Sequence, residues 1–183
     1  MIHDYNIYYF IDKFDSDELL KLDNKINIIY RNYKEKNGKA EIENIVKFCK
    51  KNKRNIFISN SLKIALNHDF NGLYIPAFNK NLNFKNISFK KKFKIIGSAH
   101  NLKEIKIKEK QGCDEIFISP LFKIIKKKGF LNISRFNYLC SLTKKNIIAL
   151  GGINKKNFNQ LNSVNSNGFA SISWIKKNRP IFK

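Results

Sequence analysis

Eight short, isoleucine-rich apolar runs recur along the chain, and they constrain its fold more than any other feature. They cover residues 7–11, 26–30, 55–58, 72–75, 94–97, 115–118, 147–150 and 169–173. Most are near-continuous in apolar residues and do not alternate with polar ones. A strand reads this way when both of its faces are buried, as in a parallel sheet covered by helices. The β-branched side chains suit such strands because they pack well on a pleated surface.

Helical patterns lie between the runs. Residues 40–51 put Ile42, Ile45, Val46 and Cys49 on one stripe, and residues 101–111 do the same with Leu102, Ile105 and the stem of Lys108 before Gly112 stops the turn. Residues 134–143 offer Phe136, Leu139, Cys140 and Leu142, and residues 154–164 open on Asn154 as an N-cap and carry Phe158 and Leu161. Three connectors are thin: 15–22, 62–67 and 79–93. Strand and helix in alternation imply a parallel α/β fold with right-handed crossovers. Eight such units in 183 residues are tight, because (β/α)8 barrels usually need ~250. The expected architecture is therefore a compact (β/α)8, or TIM, barrel with shortened helices and at least one crossover reduced to a turn. An open doubly wound sheet with fewer strands is the alternative. No internal repeat, linker or low-complexity boundary divides the chain, so residues 1–183 are expected to form one domain.

Charge bounds the partners less than its size implies. Lys and Arg number 36 against 14 Asp and Glu, a formal +22. Nucleic acid, an anionic membrane or phosphorylated substrates would all suit that sign. The lysines are spread along the chain, however, and they rise together with Asn, Ile and Phe, as in a compositionally biased sequence. There is no aromatic–basic motif, zinc spacing or helix-turn-helix pattern, so no specific nucleic-acid binding is expected. No stretch approaches ~20 apolar residues, which argues against a membrane span. The first residues lack a leader pattern, and Cys49, Cys113 and Cys140 are isolated, so a reducing, cytoplasmic setting is expected.

The segment Ile147 to Asn154 ends a buried run in Gly151–Gly152 and expects a helix at once. Glycines let a backbone approach an anion, and free N–H groups at a helix start favour phosphate. In (β/α)8 barrels the loops after strands 7 and 8 often hold one; a plain turn is the other reading. Here the sequence resembles the thiamine phosphate synthase/thiazole tautomerase family. Ala149-Leu150-Gly151-Gly152-Ile153 is similar to that family's A-[IL]-G-G-I, and Gly168 to Ser173 to its G-V-A-V-I-S. Ile96 to Asn101 resembles I-G-x-S-x-H-[ST], and Gly112 to Phe122 resembles G-A-D-Y-V-x-x-G-P-[VI]-[FY]. Ala65-Leu66 with Asn71 to Ile75 resembles L-A-L…A-D-G-V-H-L.

The resemblance implies a (β/α)8 barrel in which a thiazole phosphate nitrogen attacks the methylene of a hydroxymethylpyrimidine pyrophosphate and pyrophosphate leaves. It assigns Gly151, Gly152 and Ser173 to the thiazole phosphate, and a bulky side chain at position 152 is expected to abolish that binding with the fold intact. It assigns Arg31, Asn60, Ser98 and Lys127 to the pyrophosphate and pyrimidine side. The family's Q-x-R-x-K falls on Ile29 to Tyr33, so Arg31 is kept while Tyr33 replaces the lysine beside Lys34. The P-T-x-T-K loop reads Lys123 to Lys127 without its threonines. Both family metal aspartates are asparagines, Asn60 and Asn79. A neutral carbonyl oxygen is a poor ligand for Mg2+, a hard ion, so the cofactor is in doubt.

Pro120 stands where the tautomerase branch has its histidine. His100, at the end of the fifth run, is a histidine that could in principle move a proton, although such a histidine more often packs beside the barrel rim; His3 and His68 read as surface residues. No catalytic acid or base is assigned. The leading expectation is a divergent synthase of thiamine biosynthesis, a transferase. The alternative is a non-catalytic or repurposed member that binds a thiazole or other phosphate.

Overall fold

The computed structural model describes residues 5–33, 38–87, 89–125 and 129–181. Eight parallel strands close into a barrel in sequence order, each hydrogen-bonded to the next and β8 back to β1. They are β1 (Asn6–Ile11), β2 (Ile26–Tyr30), β3 (Ile56–Ser59), β4 (Gly72–Ile75), β5 (Lys94–Ala99), β6 (Glu115–Ile118), β7 (Asn146–Leu150) and β8 (Gly168–Ala170). Closure excludes the open sheet.

The helices are α1 (Ser16–Leu20), α2 (Lys39–Lys51), α3 (Leu62–Asn67), α4 (Leu102–Lys110), α5 (Asn132–Ser141) and α6 (Ser173–Asn178). Their ends follow local chemistry. Asp15 and Asn101 accept the N–H groups of Glu18 and Glu104 as N-caps of α1 and α4. The stripe of α2 buries Ile42, Ile45, Val46 and Cys49 as its spacing requires. Two crossovers are reduced to 3-10 turns, Asn83–Asn86 after β4 and Phe158–Ser163 after β7.

Two expectations need correction. Residues 154–164 do not form an α-helix. The Asn154 side chain accepts the Lys156 N–H and donates to Gly152 O, and Asn157 Nδ2 also reaches Gly152 O. These local bonds compete with helical ones and divert the chain. The last run, expected to be strand over 169–173, leaves the sheet after Ala170, and Ser173 opens α6.

Inside the barrel every strand contributes to one cluster: Tyr8, Phe10, Ile29, Phe57, Tyr74, Ile96, Phe117, Ile148 and Ala170. Phe117 meets Tyr8, Phe10 and Tyr74 edge-on with ring centroids 4.9, 6.1 and 5.7 Å apart. Large rings filling the middle leave polar chemistry to the two ends. At the N-terminal end the buried Glu115 is satisfied by Tyr8 Oη at 2.6 Å, Lys94 Nζ at 3.1 Å and Asn6 Nδ2 at 3.2 Å. A second cluster, outside the strands, packs them against the helices. Cys49, Cys113 and Cys140 are free thiols. No helix among the described residues is long and apolar enough to cross a membrane.

Candidate functional site

Every described candidate lies at the C-terminal end of the strands. Arg31 follows β2, Asn60 follows β3, Asn79 lies in the loop after β4, Ser98 is within β5, Gly151–Gly152 follow β7, and Ser173 follows β8. Lys127, with Lys34 and Lys126, lies outside the described residues, as does His3.

The β7 and β8 ends form one unit. Gly151 and Gly152 have φ of 95° and 74°, the left-handed region that favours glycine. A Cβ on Gly152 would lie 2.5 Å from Phe122 O, and one on Gly151 2.9 Å from Pro120 Cα. The glycines thus have a packing reason as well as any ligand role, and a bulky residue at 152 would disturb the loop itself. Their N–H groups donate to no described residue. Ser171 Oγ donates to Ile153 O at 3.1 Å, tying this turn to the next strand's end. There α6 starts with no side chain capping it and with Ser173 exposed. Free N–H groups on two adjoining segments suit an anion.

The opposite edge is built from β2 to β5. The Arg31 guanidinium lies 4.7 Å from the centre of the Phe10 ring, a cation–π placement. Ser98 hydrogen-bonds Tyr74, whose phenol burial pushes up to about 12 against the pull of that bond and of the Arg31 charge. Arg31, Tyr74 and Ser98 are thereby brought together. Tyr33 Oη and Ser59 Oγ are 2.8 Å apart, and the Tyr33 ring meets the exposed Phe78 edge-on at 5.9 Å. Where the family pattern carries a lysine, this chain has an aromatic pair.

Asn60 and Asn79 do meet, but as partners of each other. Asn79 Nδ2 donates to Asn60 Oδ1 at 2.7 Å, and Asn79 Oδ1 accepts the Asn81 N–H at 2.9 Å. Asn60 itself has φ of 58°, which asparagine tolerates better than most residues. Both carbonyl oxygens already accept a hydrogen bond and neither carries charge. No group of three His, Cys, Asp or Glu among the described residues is placed to hold a metal. This donor set does not fit Mg2+, which selects charged oxygens.

A hollow of about 400 Å3 lies beside the end of β1, lined by Arg31, by Ile172 and Lys176 near and on α6, and by the carboxylates of Asp12, Asp15 and Glu18. Glu18 receives Lys176 Nζ at 2.8 Å and the Tyr9 hydroxyl. A larger hollow, about 540 Å3, opens at the N-terminal end, but its one buried carboxylate, Glu115, is already fully bonded. His100 is engaged by Glu104 Oε2 at 2.9 Å, and the same oxygen accepts its N–H at 2.8 Å, so it serves the start of α4.

Sequence reasoning missed Ser59, Tyr74 and Phe78, which carry no motif of their own, and Lys108 with Gln111. Lys108 is wholly buried, its Nζ bonded to Pro76 O, Asn79 O and Gln111 Oε1 at 2.8, 2.9 and 2.8 Å. Burial lowers its pKa to about 8. Its place on the apolar stripe of α4 was the available signal.

The family model for thiamine monophosphate synthase matches residues 18–175. A thiamine-phosphate synthase of Prochlorococcus marinus subsp. pastoris is 33% identical over 137 residues, covering 70% of this chain and 38% of that protein. That of Prochlorococcus marinus strain SARG is 31% identical over 124 residues, covering 63% and 34%. The chain spans about a third of the length of these curated relatives. Among solved structures, thiamine phosphate pyrophosphorylase from Pyrococcus furiosus has a TM-score of 0.75 over 97% of this chain and 93% of its own, at 18% identity. The enzyme of the same name from Bacteroides thetaiotaomicron reaches 0.64 over 93% and 84%, at 15% identity. At such identities these two likenesses speak for the barrel alone.

Proposed function

The chain belongs to the thiamine monophosphate synthase family, and from that premise we propose that it acts in thiamine biosynthesis as a divergent synthase, joining a thiazole phosphate to a hydroxymethylpyrimidine pyrophosphate. The observation that supports this reading is that both anion-suited features, the β7–β8 turn with its unbonded Gly151 and Gly152 N–H groups and the Arg31 guanidinium over Phe10, lie at the same C-terminal end of the barrel. A bond-forming site needs two anionic ends held in one space, because orientation lowers the barrier more than any proton transfer here. The thiazole nitrogen forms the C–N bond, the C–O bond to pyrophosphate breaks, and its electron pair leaves with that group. Net proton transfer is not required, which suits an end of the barrel where His100 is already engaged by Glu104. The Gly151 and Gly152 N–H groups and Ser173 take the thiazole phosphate, and Arg31 meets charge developing on the leaving group.

A second reading has its own support. The neutral Asn60–Asn79 pair has no charge with which to hold a metal, and the Tyr33–Phe78 rings stand where the family pattern carries a lysine, so the leaving-group edge lacks two of its cationic supports. That favours a member which holds a thiazole or other phosphate without turnover. The test is an assay of the purified chain with both substrates, with and without Mg2+, beside calorimetry with each ligand alone. Product formation supports the synthase. Thiazole phosphate binding without product selects the second reading, and binding of neither ligand overturns both.

A further inference from the structure

Behind the asparagine pair lies a buried network that joins α4 to the mouth of the barrel. The main-chain oxygen of Asn79 accepts Lys108 Nζ at 2.9 Å and Gln111 Nε2 at 3.0 Å. Gln111 Nε2 also donates to Asn81 O at 2.8 Å. Lys108 and Gln111 are both 0% exposed. The ammonium's three bonds all end on neutral oxygens, Pro76 O, Asn79 O and Gln111 Oε1. A buried cation without a carboxylate partner is costly, and is kept only where its bonds are complete. Here two of those bonds, to Pro76 O and Asn79 O, fix the loop that carries Asn79, and the third holds Gln111, which bonds the same loop.

We propose that this network stands in place of a divalent cation at the leaving-group edge, with Lys108 and Gln111 as positioning residues. It rests on the reading above that this edge receives a phosphorylated pyrimidine. A dication between two carboxylates does two things: it cancels their repulsion and ties two strand ends together. Two ionised carboxylates at 2.7 Å could form no hydrogen bond, since both only accept. An amide pair needs no cancellation, because Asn79 donates and Asn60 accepts. The tie between the β3 end and the β4 loop is then made directly, and Lys108 and Gln111 hold it from beneath. The fixed positive charge of this edge is also supplied by the chain, from Lys108 under the loop and Arg31 over Phe10. The result is a leaving-group edge assembled without metal.

The experiment is calorimetry of the full chain with inorganic pyrophosphate, in EDTA and in excess Mg2+. Titrations of the thiazole phosphate run in parallel on the native chain, Lys108→Met and the double variant Asn60→Asp/Asn79→Asp. The native chain should bind pyrophosphate in EDTA, with Mg2+ changing Kd by less than about threefold. Lys108→Met should weaken pyrophosphate by about tenfold or more, because the loop that carries Asn79 loses the two charge-assisted bonds that hold it, and leave thiazole phosphate affinity unchanged. A role confined to folding would move both ligands together. The double variant should lose pyrophosphate binding in EDTA and regain it with Mg2+, because two adjacent carboxylates create the metal requirement; this arm decides the matter if Lys108→Met does not fold. Pyrophosphate binding by the native chain that requires Mg2+ overturns the proposal, as does thiazole phosphate binding with no pyrophosphate binding in either buffer. Failure of the underlying functional reading is distinct: neither ligand binds.

Discussion

Gly152 and Ser173 separate the structural part of the β7–β8 turn from the ligand-binding part proposed for it. Gly152 has φ of 74° and faces Phe122 O, which a Cβ would approach to 2.5 Å. Gly152→Ala should therefore destabilise the fold by about 1–3 kcal/mol, the scale of local backbone strain, with urea denaturation as the measure. Ser173 is exposed at the start of α6. Ser173→Ala should leave stability within about 0.5 kcal/mol and weaken thiazole phosphate binding by about tenfold, equivalent to a lost hydrogen bond of roughly 1.5 kcal/mol. Calorimetry showing unchanged affinity removes Ser173 from the cradle. The glycines could be read in the sequence because a Gly pair after a buried run has few physical uses. Asn60 and Asn79 could be read only as losses. That they bond each other depends on the φ of 58° at Asn60 and on the loop held by Lys108, neither of which any spacing encodes. Lys108 looked like a lysine whose stem lies along an apolar stripe, the usual compromise for that side chain. Its head group goes inward because three oxygens await it there.

Among the elements, strands were more legible than connectors. A run such as Ile147 to Leu150 must be buried on two faces, and only a central strand provides that. The connector after β7 was misread because Phe158 and Leu161, three apart, fit an α-helix and a 3-10 turn equally well. The asparagines around them decided the outcome through side-chain bonds to the backbone. Short connectors also need anchoring, since a helix of five residues cannot persist alone. Arg54 supplies this for α1. Its guanidinium donates to Leu19 O, Leu22 O, Asp23 O and Ile26 O at 2.7–3.3 Å, and burial lowers its pKa. Arg54→Leu would leave those carbonyls buried beside an apolar side chain. It should cost about 3 kcal/mol, as buried acceptors lose charged donors. The midpoint of urea unfolding should fall accordingly, and a loss under about 0.5 kcal/mol would mean that α1 is held by its own packing.

For the molecule as a whole, the open question is whether a charge of +22 has a use. With 36 basic and 14 acidic side chains, one-to-one pairing leaves 22 cations over. The pairs that form, such as Lys50 and Lys90 on Asp69, are exposed and contribute little to stability. A chain this cationic repels itself, and repulsion between surface charges is screened over about 10 Å at 0.1 M salt. Duplex DNA should be bound through this excess alone, because among the described residues the helices are short, surround a barrel, and include no helix-turn-helix pair. Binding by charge alone releases counterions, and its log–log salt slope is about −0.9 for each phosphate neutralised. Fluorescence anisotropy with duplexes of unrelated sequence should show equal affinities at low salt and no measurable complex near ~0.15 M. The thiazole phosphate should behave differently, because the cradle proposed for it uses N–H groups on the β7–β8 turn and not an array of surface cations. Its affinity should fall by less than about threefold over the same salt range, since a single small anion releases few counterions. A nanomolar complex with one DNA sequence at ~0.15 M salt would instead give the basic surface a specific role.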